Sequence, residues 1–478
     1  MSSQPVRRLR PPSVDAVLVA SRARLAGDRE PDALRDAARA VVDEERRRLT
    51  SGDAGASAAS ARSAEDLAAA VVDRLDGYAD GSDTGPSRAI NATGVIVHTN
   101  LGRAPWPEAA IQAAETAARH YLLLEIDRAS GRRGARMRLA EEHLIALTGG
   151  EDALVTNNNA AALGLAVALA GRGRGVVVSR GELVEIGGGV RIPDIVRRAG
   201  ARLIEVGTTN RTRVADFEPP LADGSAAIVL RVHPSNFRQE GFVEAPDPAA
   251  LAELAHRHGA IVVDDLGSGA LLATERFGLA HEPTPRERLA DGADVVTFSG
   301  DKLVGGPQAG FVVGRADLIA RIRRDPLARA MRPDKVTVAA VAATLGLYRA
   351  GLAEGAIPIW RMIGRPVDEL RKRAAAIAEG VGAVASVIEV RSTVGGGSLP
   401  GETIPSAAVA VNAGSPDRLL AALRRGDPAV IGRIDGGSAV FDLRTVEPVD
   451  DDALLAALRS AVPSAALSKR RGPREAER

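Results

Sequence analysis

The first part of the chain has the hydrophobic spacing of α-helices. Apolar residues recur every three to four positions in "SVDAVLVASRARLA" (13–26), "DALRDAARAVVDEERRRL" (32–49) and "AEDLAAAVVDRLDGYA" (64–79), which is the period of one helix face. A run of small residues (50–63) separates the last two segments and is typical of a linker. The pattern predicts a small helical domain over residues 1–85.

The pattern then changes to short β-branched runs that alternate with alanine-rich helical segments. Three of these runs are "GVVVS" (175–179), "AIVVDDLG" (260–267) and "DVVTFSG" (294–300). Alternating strands and helices predict an α/β domain over residues 86–335, with a mostly parallel sheet covered by helices on both faces. Ligands of such sheets bind beyond the carboxyl ends of the strands.

A third region begins with the helical segment "VAAVAATLGLYRAGL" (338–352) and continues with mixed helical and strand patterns. These patterns predict a smaller α+β domain over residues 336–467. The remaining residues, 468–478, form a basic tail, "SKRRGPREAER".

Charge and composition narrow the possible partners. The net charge of +1 over 478 residues predicts no chain-wide attraction to polyanions such as DNA. Contact with nucleic acid would have to come from local clusters such as Arg7, Arg8 and Arg10 or from the basic tail, although charged chain ends are more often simply solvated. No apolar run reaches the roughly 18 residues of a membrane span, and the N-terminus has no signal-peptide core. We therefore expect a cytoplasmic protein without membrane contact.

The absence of cysteine excludes several kinds of chemistry. With no cysteine in the chain, there is no disulfide, no thiolate nucleophile, no persulfide carrier and no cysteine-ligated metal. No metal site is predicted.

Lysine is rare in this chain, and one lysine lies in an unusual place. Of the 62 basic residues, lysine occupies only positions 302, 335, 372 and 469. Lys302 follows an apolar run and precedes a glycine cluster, in "DVVTFSGDKLVGGPQAG". Arginine cannot lose its proton near neutral pH and attack a carbonyl, whereas lysine can. The position suggests amine chemistry, and the alternative is a buried ion pair with Asp301.

Polar residues follow two other predicted strands. Asp264 and Asp265 come directly after an apolar run, and three asparagines, Asn157, Asn158 and Asn159, precede a helical segment. A helix N-terminus favours a phosphate group. Taken alone, the asparagines could equally be a helix cap and the aspartates a turn.

Together with Lys302, these residues suit pyridoxal 5′-phosphate. The lysine can hold the cofactor aldehyde as a Schiff base, and an aspartate, either Asp264 or Asp265, can keep the pyridine nitrogen protonated. Ser299 is placed to add a phosphate contact, and Ser235 or Asn236 could reach the 3-oxygen of the ring.

The ordered set of motifs resembles one family within the aspartate-aminotransferase-like (fold type I) pyridoxal enzymes. That family is the bacterial L-seryl-tRNA(Sec) selenium transferases, or selenocysteine synthases. The motifs that carry the resemblance are "INATGVIVHTNLGRAPW" (90–106), "GRRGAR" (131–136), "RGELVEIGGGVRIPDI" (180–195), "EVGTTNRT" (205–212), "HPSNFRQEGF" (233–242), "DLGSG" (265–269), "FSGDKLVGGPQAG" (298–310) and "GGGSLPGETIPS" (395–406).

The resemblance implies a reaction that replaces the seryl hydroxyl of a charged tRNA(Sec) with selenium from selenophosphate, through an aminoacrylyl-tRNA held on the cofactor. It implies that Lys302 removes the Cα proton and that Asp301 assists elimination or release. Arg103, Arg329 and Arg332 would clamp selenophosphate, because arginine binds oxyanions bidentately. For each arginine the alternative is a surface ion pair.

The resemblance also implies partners. The helical domain over residues 1–85 would grip the tRNA, and the protein would be a homo-oligomer, a ring of dimers that forms a decamer. Two other functions remain as alternatives. One is a pyridoxal lyase acting on a free amino acid or amino sugar, which would not need the N-terminal domain. The other is a catalytically dead tRNA-binding protein, which the presence of Lys302 and Asp265 opposes.

Overall fold

The structure is a computed structural model, in which the chain forms two compact units, Met1–Arg88 and Ala89–Arg478. Arg7, Arg8 and the basic tail lie outside the described residues. The described residues are 10–25, 27, 29–50, 61–80, 87–134 and 136–462.

The first unit contains helices at the three segments with helical spacing. Their apolar faces form a common core that includes Val17, Leu34 and Leu67. The bounds of these helices are α1 (Val14–Arg24), α2 (Pro31–Thr50) and α3 (Ala64–Asp80).

A buried carboxylate joins α2 to the residues that precede α3. The side chain of Glu45 accepts hydrogen bonds from Arg48 Nη2 (2.5 Å) and Arg62 Nε (2.9 Å). The hydrogen bonds from Arg48 and then Arg62 outweigh the effect of burial and lower the pKa of Glu45 to about 2. Glu45 is therefore charged at neutral pH and ties the two segments together.

The second unit is an α/β structure. Its strands are β1 (Ala89–Asn91), β2 (Asp152–Thr156), β3 (Gly175–Ser179), β4 (Glu185–Ile186), β5 (Val190–Arg191), β6 (Arg202–Val206), β7 (Ala226–Val232), β8 (Ile261–Gly267), β9 (Val295–Ser299), β10 (Gly310–Gly314), β11 (Ala385–Thr393), β12 (Thr403–Val411), β13 (Ala429–Ile431), β14 (Arg433–Asp435) and β15 (Ser438–Asp442). Its helices are α4 (Glu108–Arg119), α5 (Arg138–Thr148), α6 (Asn159–Ala168), α7 (Ile192–Arg198), α8 (Glu218–Ala222), α9 (Pro248–Arg257), α10 (Pro285–Ala290), α11 (Ala316–Arg324), α12 (Pro326–Ala330), α13 (Lys335–Arg349), α14 (Ala353–Ala356), α15 (Pro358–Gly364), α16 (Val367–Val381), α17 (Pro416–Leu423) and α18 (Asp451–Ala461).

The main sheet has the order β2–β10–β9–β8–β7–β3–β6 within the described residues. Strand β10 runs antiparallel to both neighbours, and the other pairs are parallel. Alternate residues of β3 face two cores: Val176 belongs to the core that includes Leu163 of α6, whereas Val177 belongs to the core that includes Leu251 of α9. Helices therefore cover both faces, and the predicted mostly parallel sheet is confirmed.

A second, antiparallel sheet has the order β11–β12–β15–β14 and packs with α16, α17 and α18 around a separate core. Strand β1, which the sequence pattern assigned to the large domain, pairs with β13 beside this core. The predicted boundary at residue 335 falls at the start of α13, inside one compact unit. Local patterns cannot show a pairing between segments so far apart in sequence.

None of the helices in the described part of the chain combines the length and apolar character needed to cross a bilayer.

A buried arginine connects the second sheet to the helices beside it. Arg444 is 1% exposed, and its guanidinium donates to the carbonyl oxygens of Met362 (2.7 Å), Arg365 (3.0 Å) and Pro405 (2.5 Å). Burial lowers the pKa of Arg444 to about 10, so the side chain stays charged at neutral pH. One side chain thus satisfies backbone groups from two segments, the end of α15 and β12.

Replacing Arg444 should destabilise the second unit. We expect Arg444→Met to lower the free energy of unfolding by about 3–5 kcal/mol, because several buried carbonyl groups lose their donor. The measurement is the midpoint of unfolding in guanidinium chloride. Arg424→Met, at an exposed position after α17, is the matched control. Equal midpoints for both variants would contradict the prediction.

Candidate active site

A cavity of about 240 Å³ lies at the carboxyl ends of β7, β8 and β9. This is the position that the sheet topology predicts for a ligand. The predicted site residues that line it are Arg103, Asn158, Asn159, Ser235, Asn236, Asp265, Ser299 and Lys302.

Lys302 lies in the turn that follows β9. The turn is held by Leu303, whose N–H donates to the carbonyl of Ser268 (3.0 Å). Lys302 is only 7% exposed. Burial lowers the pKa of its amine, and Asp265 partly opposes this effect. The amine therefore gives up its proton more easily than that of a surface lysine.

Asp265 lies near the end of β8 and is 4% exposed. Its Oδ1 accepts hydrogen bonds from Asn159 Nδ2 (2.8 Å) and Thr297 Oγ1 (2.8 Å). Burial raises the pKa of Asp265, whereas these two donors and the charge of Lys302 act in the opposite direction. The carboxylate is held in a defined orientation inside the cavity.

Asp264 lies outside the cavity, contrary to its inclusion among the predicted cofactor residues. Successive residues of a strand point to opposite faces of a sheet. Asp264 therefore faces away from Asp265, beside Arg231 of the neighbouring strand and 3.6 Å from Arg288 Nε. This alternation decides between the two aspartates.

The three asparagines have different environments. Asn158 caps α6, because its Oδ1 accepts from the N–H of Ala161 (2.9 Å). Asn159 orients Asp265, and its Oδ1 is buried without a hydrogen-bond partner. Asn157 does not line the cavity; its side chain is exposed and its backbone N–H donates to the carbonyl of Met331 (2.8 Å).

Three further predicted residues line the cavity. Ser299 ends β9 and is 6% exposed, and Ser235 is 8% exposed. Asn236 Nδ2 donates to the carbonyl of Glu185 (2.8 Å), which fixes the loop after β7. The structure thus brings residues from three strand ends to one place.

Arg103 and Asp301 form an ion pair at the edge of the cavity. Arg103 Nη1 donates to Asp301 Oδ2 (2.5 Å). Arg103 lines the cavity, whereas Asp301 is buried and does not line it. The pair orients the guanidinium, and Asp301 is not itself exposed to a ligand.

Arg329 and Arg332 do not line the cavity of this chain. Arg329 is exposed in α12, and Arg332 Nη1 lies 3.8 Å from Glu125 Oε1. Met331, the residue before Arg332, nevertheless accepts a hydrogen bond from the backbone N–H of Asn157. Asn157 lies two residues before the start of α6. Of the predicted anion-binding arginines, Arg103 alone is among the lining residues.

Sequence reasoning missed three residues that line the cavity or contact its lining residues. Thr297, two positions before Ser299 on the same face of β9, holds Asp265. His233, directly before Pro234, lines the cavity. Gly397 approaches Lys302 so closely that an added Cβ would lie 2.8 Å from Nζ. Strand alternation could have identified Thr297, but the other two contacts depend on the tertiary fold.

Comparisons with known proteins agree with one another. The profile of the family described as L-seryl-tRNA selenium transferase matches residues 89–447. The L-seryl-tRNA(Sec) selenium transferase of Rhizobium meliloti is 48% identical over 389 residues, covering 79% of this chain and 83% of that protein. The enzyme of the same name from Methylocella silvestris is 44% identical over 472 residues, covering 96% of this chain and 97% of that protein.

A solved structure shows the same fold. D-Glucosaminate-6-phosphate ammonia-lyase matches with a TM-score of 0.58 and 24% identity, covering 80% of this chain and 98% of that one. The predicted fold class, the aspartate-aminotransferase-like (fold type I) α/β fold, is confirmed. The profile match and the two relatives show that the chain belongs to the L-seryl-tRNA selenium transferase family.

Proposed function

We propose that this protein converts L-seryl-tRNA(Sec) to L-selenocysteinyl-tRNA(Sec), with pyridoxal 5′-phosphate as cofactor and selenophosphate as selenium donor. The observation that carries the proposal is the buried Lys302 amine that shares one cavity with Asp265, in a chain of this family. The relatives at 44–48% identity are named as transferases, which favours this function over a pyridoxal lyase.

The residues of the cavity fit the cofactor. Lys302 would hold its aldehyde carbon, and Asp265 would hold the proton on its ring nitrogen. The N–H groups of Asn159 and Ala160 begin α6 and have no partner within the helix, so they suit a phosphate, with Ser299 beside them. The buried, unpartnered Oδ1 of Asn159 also indicates a missing polar partner.

Pyridoxal phosphate, when bound, supplies a ring that accepts electrons from the substrate Cα. The protein supplies the base for that carbon. Burial lowers the pKa of Lys302, so more of the amine is uncharged near neutral pH and able to take the Cα proton. Ser235 and Asn236 would orient the cofactor at its 3-oxygen.

The selenium donor is an anion and requires fixed positive charge. Arg103 provides it at the cavity, and Asp301 positions Arg103 through their ion pair. We keep Arg329 and Arg332 as candidates for the same anion, because the turn at Met331 lies against the residues that begin α6.

The first unit would bind the tRNA. The cavity residues all lie in the second unit, so a separate helical unit is available for the large substrate. The proposal also includes the homo-oligomer, a decameric ring of dimers, that the family resemblance implies.

Lys302 should be the residue that binds the cofactor covalently. Borohydride reduction of the loaded protein should fix the cofactor to the peptide that contains Lys302, because this amine is buried in the cavity with a lowered pKa. Peptide mass spectrometry provides the measurement. Lys302→Ala should lose the adduct, and the control Lys372→Ala should keep it. An adduct retained in Lys302→Ala would rule out this assignment.

Arg103 should govern use of the selenium donor. We expect Arg103→Met to weaken productive donor binding by about 2–4 kcal/mol, because one charge-assisted contact to the anion is lost. The rate of selenocysteinyl-tRNA formation should fall at limiting selenophosphate and recover as its concentration rises.

The control for that assay is Arg119→Met, at an exposed position of α4. Arg329→Ala and Arg332→Ala belong in the same assay. If both variants form selenocysteinyl-tRNA at the parent rate when selenophosphate is limiting, Arg329 and Arg332 do not bind the anion. If Arg103→Met also reacts at the parent rate, the anion site is not at Arg103.

Deleting residues 1–88 should separate tRNA binding from cofactor binding. We expect the shortened protein to bind seryl-tRNA(Sec) at least about tenfold more weakly, because it loses the proposed contacts to phosphates. Borohydride labelling of Lys302 should stay at the parent level and serves as the control. Unchanged affinity for the tRNA, measured by filter binding at fixed salt, would favour the lyase alternative.

A further inference from the structure

His233 forms a wall shared by two cavities. It follows β7 directly, and its backbone N–H donates to the carbonyl of Asp265 (2.9 Å), so it is fixed to the strand that carries the carboxylate. His233 lines the 240 Å³ cavity that contains Lys302 and Asp265, which we call the cofactor cavity. It also lines a larger cavity of about 420 Å³, which is bounded by residues such as Phe237, Glu282 and Leu399.

Glu282 is the partner of His233 on the side of the larger cavity. Its Oε1 lies 3.2 Å from His233 Nε2. Neither atom has a hydrogen-bond partner among the described residues, so the two groups lie at ion-pair distance without hydrogen-bond geometry. Glu282 is 2% exposed, and its backbone N–H donates to the buried Oγ1 of Thr274 (3.1 Å). A carboxylate buried this deeply requires a cation or a proton nearby, and the imidazole of His233 can provide either.

The reaction needs an acid that the previously named residues do not supply. Hydroxide is a poor leaving group unless its oxygen is protonated as it departs. Asp301 is paired with Arg103 and does not line the cavity. Lys302 is engaged with the Cα proton, and the hydroxyls of Ser235 and Ser299 are too weakly acidic. His233 lines the cavity, and imidazole is the side chain that enzymes use most often as a general acid.

We infer that His233, held beside the buried carboxylate of Glu282, is the catalytic acid that protonates the departing seryl hydroxyl; this inference rests on the proposed function. Lys302 Nζ takes the Cα proton. In a second step, the electron pair that this proton leaves at Cα forms the Cα–Cβ double bond as the Cβ–O bond breaks. The oxygen keeps the electron pair of the broken bond, takes the proton from the His233 imidazolium and leaves as water.

The cycle closes through the larger cavity. After elimination His233 is neutral, and it can regain a proton from water in that cavity, next to the carboxylate of Glu282. Glu282 is a positioning residue in this arrangement, because it acts through His233 and lies outside the cofactor cavity.

The test separates proton removal at Cα from departure of the hydroxyl. The variants are His233→Asn and Glu282→Gln. His258→Asn is the matched control, because His258 also pairs with a carboxylate, that of Glu218 (3.1 Å), outside both cavities. Full-length, cofactor-loaded protein is incubated with seryl-tRNA(Sec) in D₂O without selenium donor. Deuterium at Cα is measured in recovered serine, and elimination is measured as pyruvate released after alkaline deacylation.

We expect His233→Asn to keep Cα exchange near the parent rate and to lose elimination by about 100-fold or more. With 3-chloroalanyl-tRNA(Sec), whose chloride leaves without a proton, His233→Asn should eliminate within a fewfold of the parent rate. Glu282→Gln should show the same pattern with a smaller loss. The control should match the parent in all three measurements.

Two results would overturn the inference. One is elimination from seryl-tRNA(Sec) at the parent rate in His233→Asn. The other is a parallel loss of exchange and elimination that chloride does not rescue, which would make His233 a structural residue. If the parent itself neither exchanges nor eliminates with seryl-tRNA(Sec), the proposed function fails, and the inference fails with it.

Discussion

The Lys302 amine and the Asp265 carboxylate share one cavity, and burial acts against the charge of both. It lowers the pKa of the lysine and raises that of the aspartate. Two donors, Asn159 and Thr297, oppose the second shift by holding the carboxylate from one side. Much of the surrounding structure serves to keep these two groups in place and out of water.

Two glycines let the backbone come close to residues that line the cavity. Gly397 has φ of 78° and lies against the Lys302 amine, where a Cβ would be 2.8 Å from Nζ. Gly310 in β10 packs so closely on Asn158 that a Cβ would lie 2.1 Å from its carbonyl oxygen. A side chain at either position would displace the lysine or the start of α6. Glycine at both positions therefore allows these close approaches.

The second sheet contributes to the site although its own core is separate. Gly397 lies between β11 and β12, and the bridge between Val95 and Thr393 ties that region to the segment before Arg103. The buried Arg444 in turn holds β12 and the end of α15 through their carbonyl groups. The stability of this sheet and the geometry of the cavity are therefore linked, because β12 is held by Arg444 and is also joined to the loop that contains Gly397.

The sequence by itself determined the alternation of strands and helices and the helix that follows the three asparagines, and it singled out Lys302 as a candidate, because these depend on local spacing and residue chemistry. It left Asp264 and Asp265 as equal candidates. Only the pairing of β8 between β7 and β9 decided which carboxylate faces the cavity. The place of Asp301 behind Arg103 and the contact between His233 and Glu282 were likewise decided by tertiary structure. These contacts join segments far apart in the chain, and no local pattern records which of them meet.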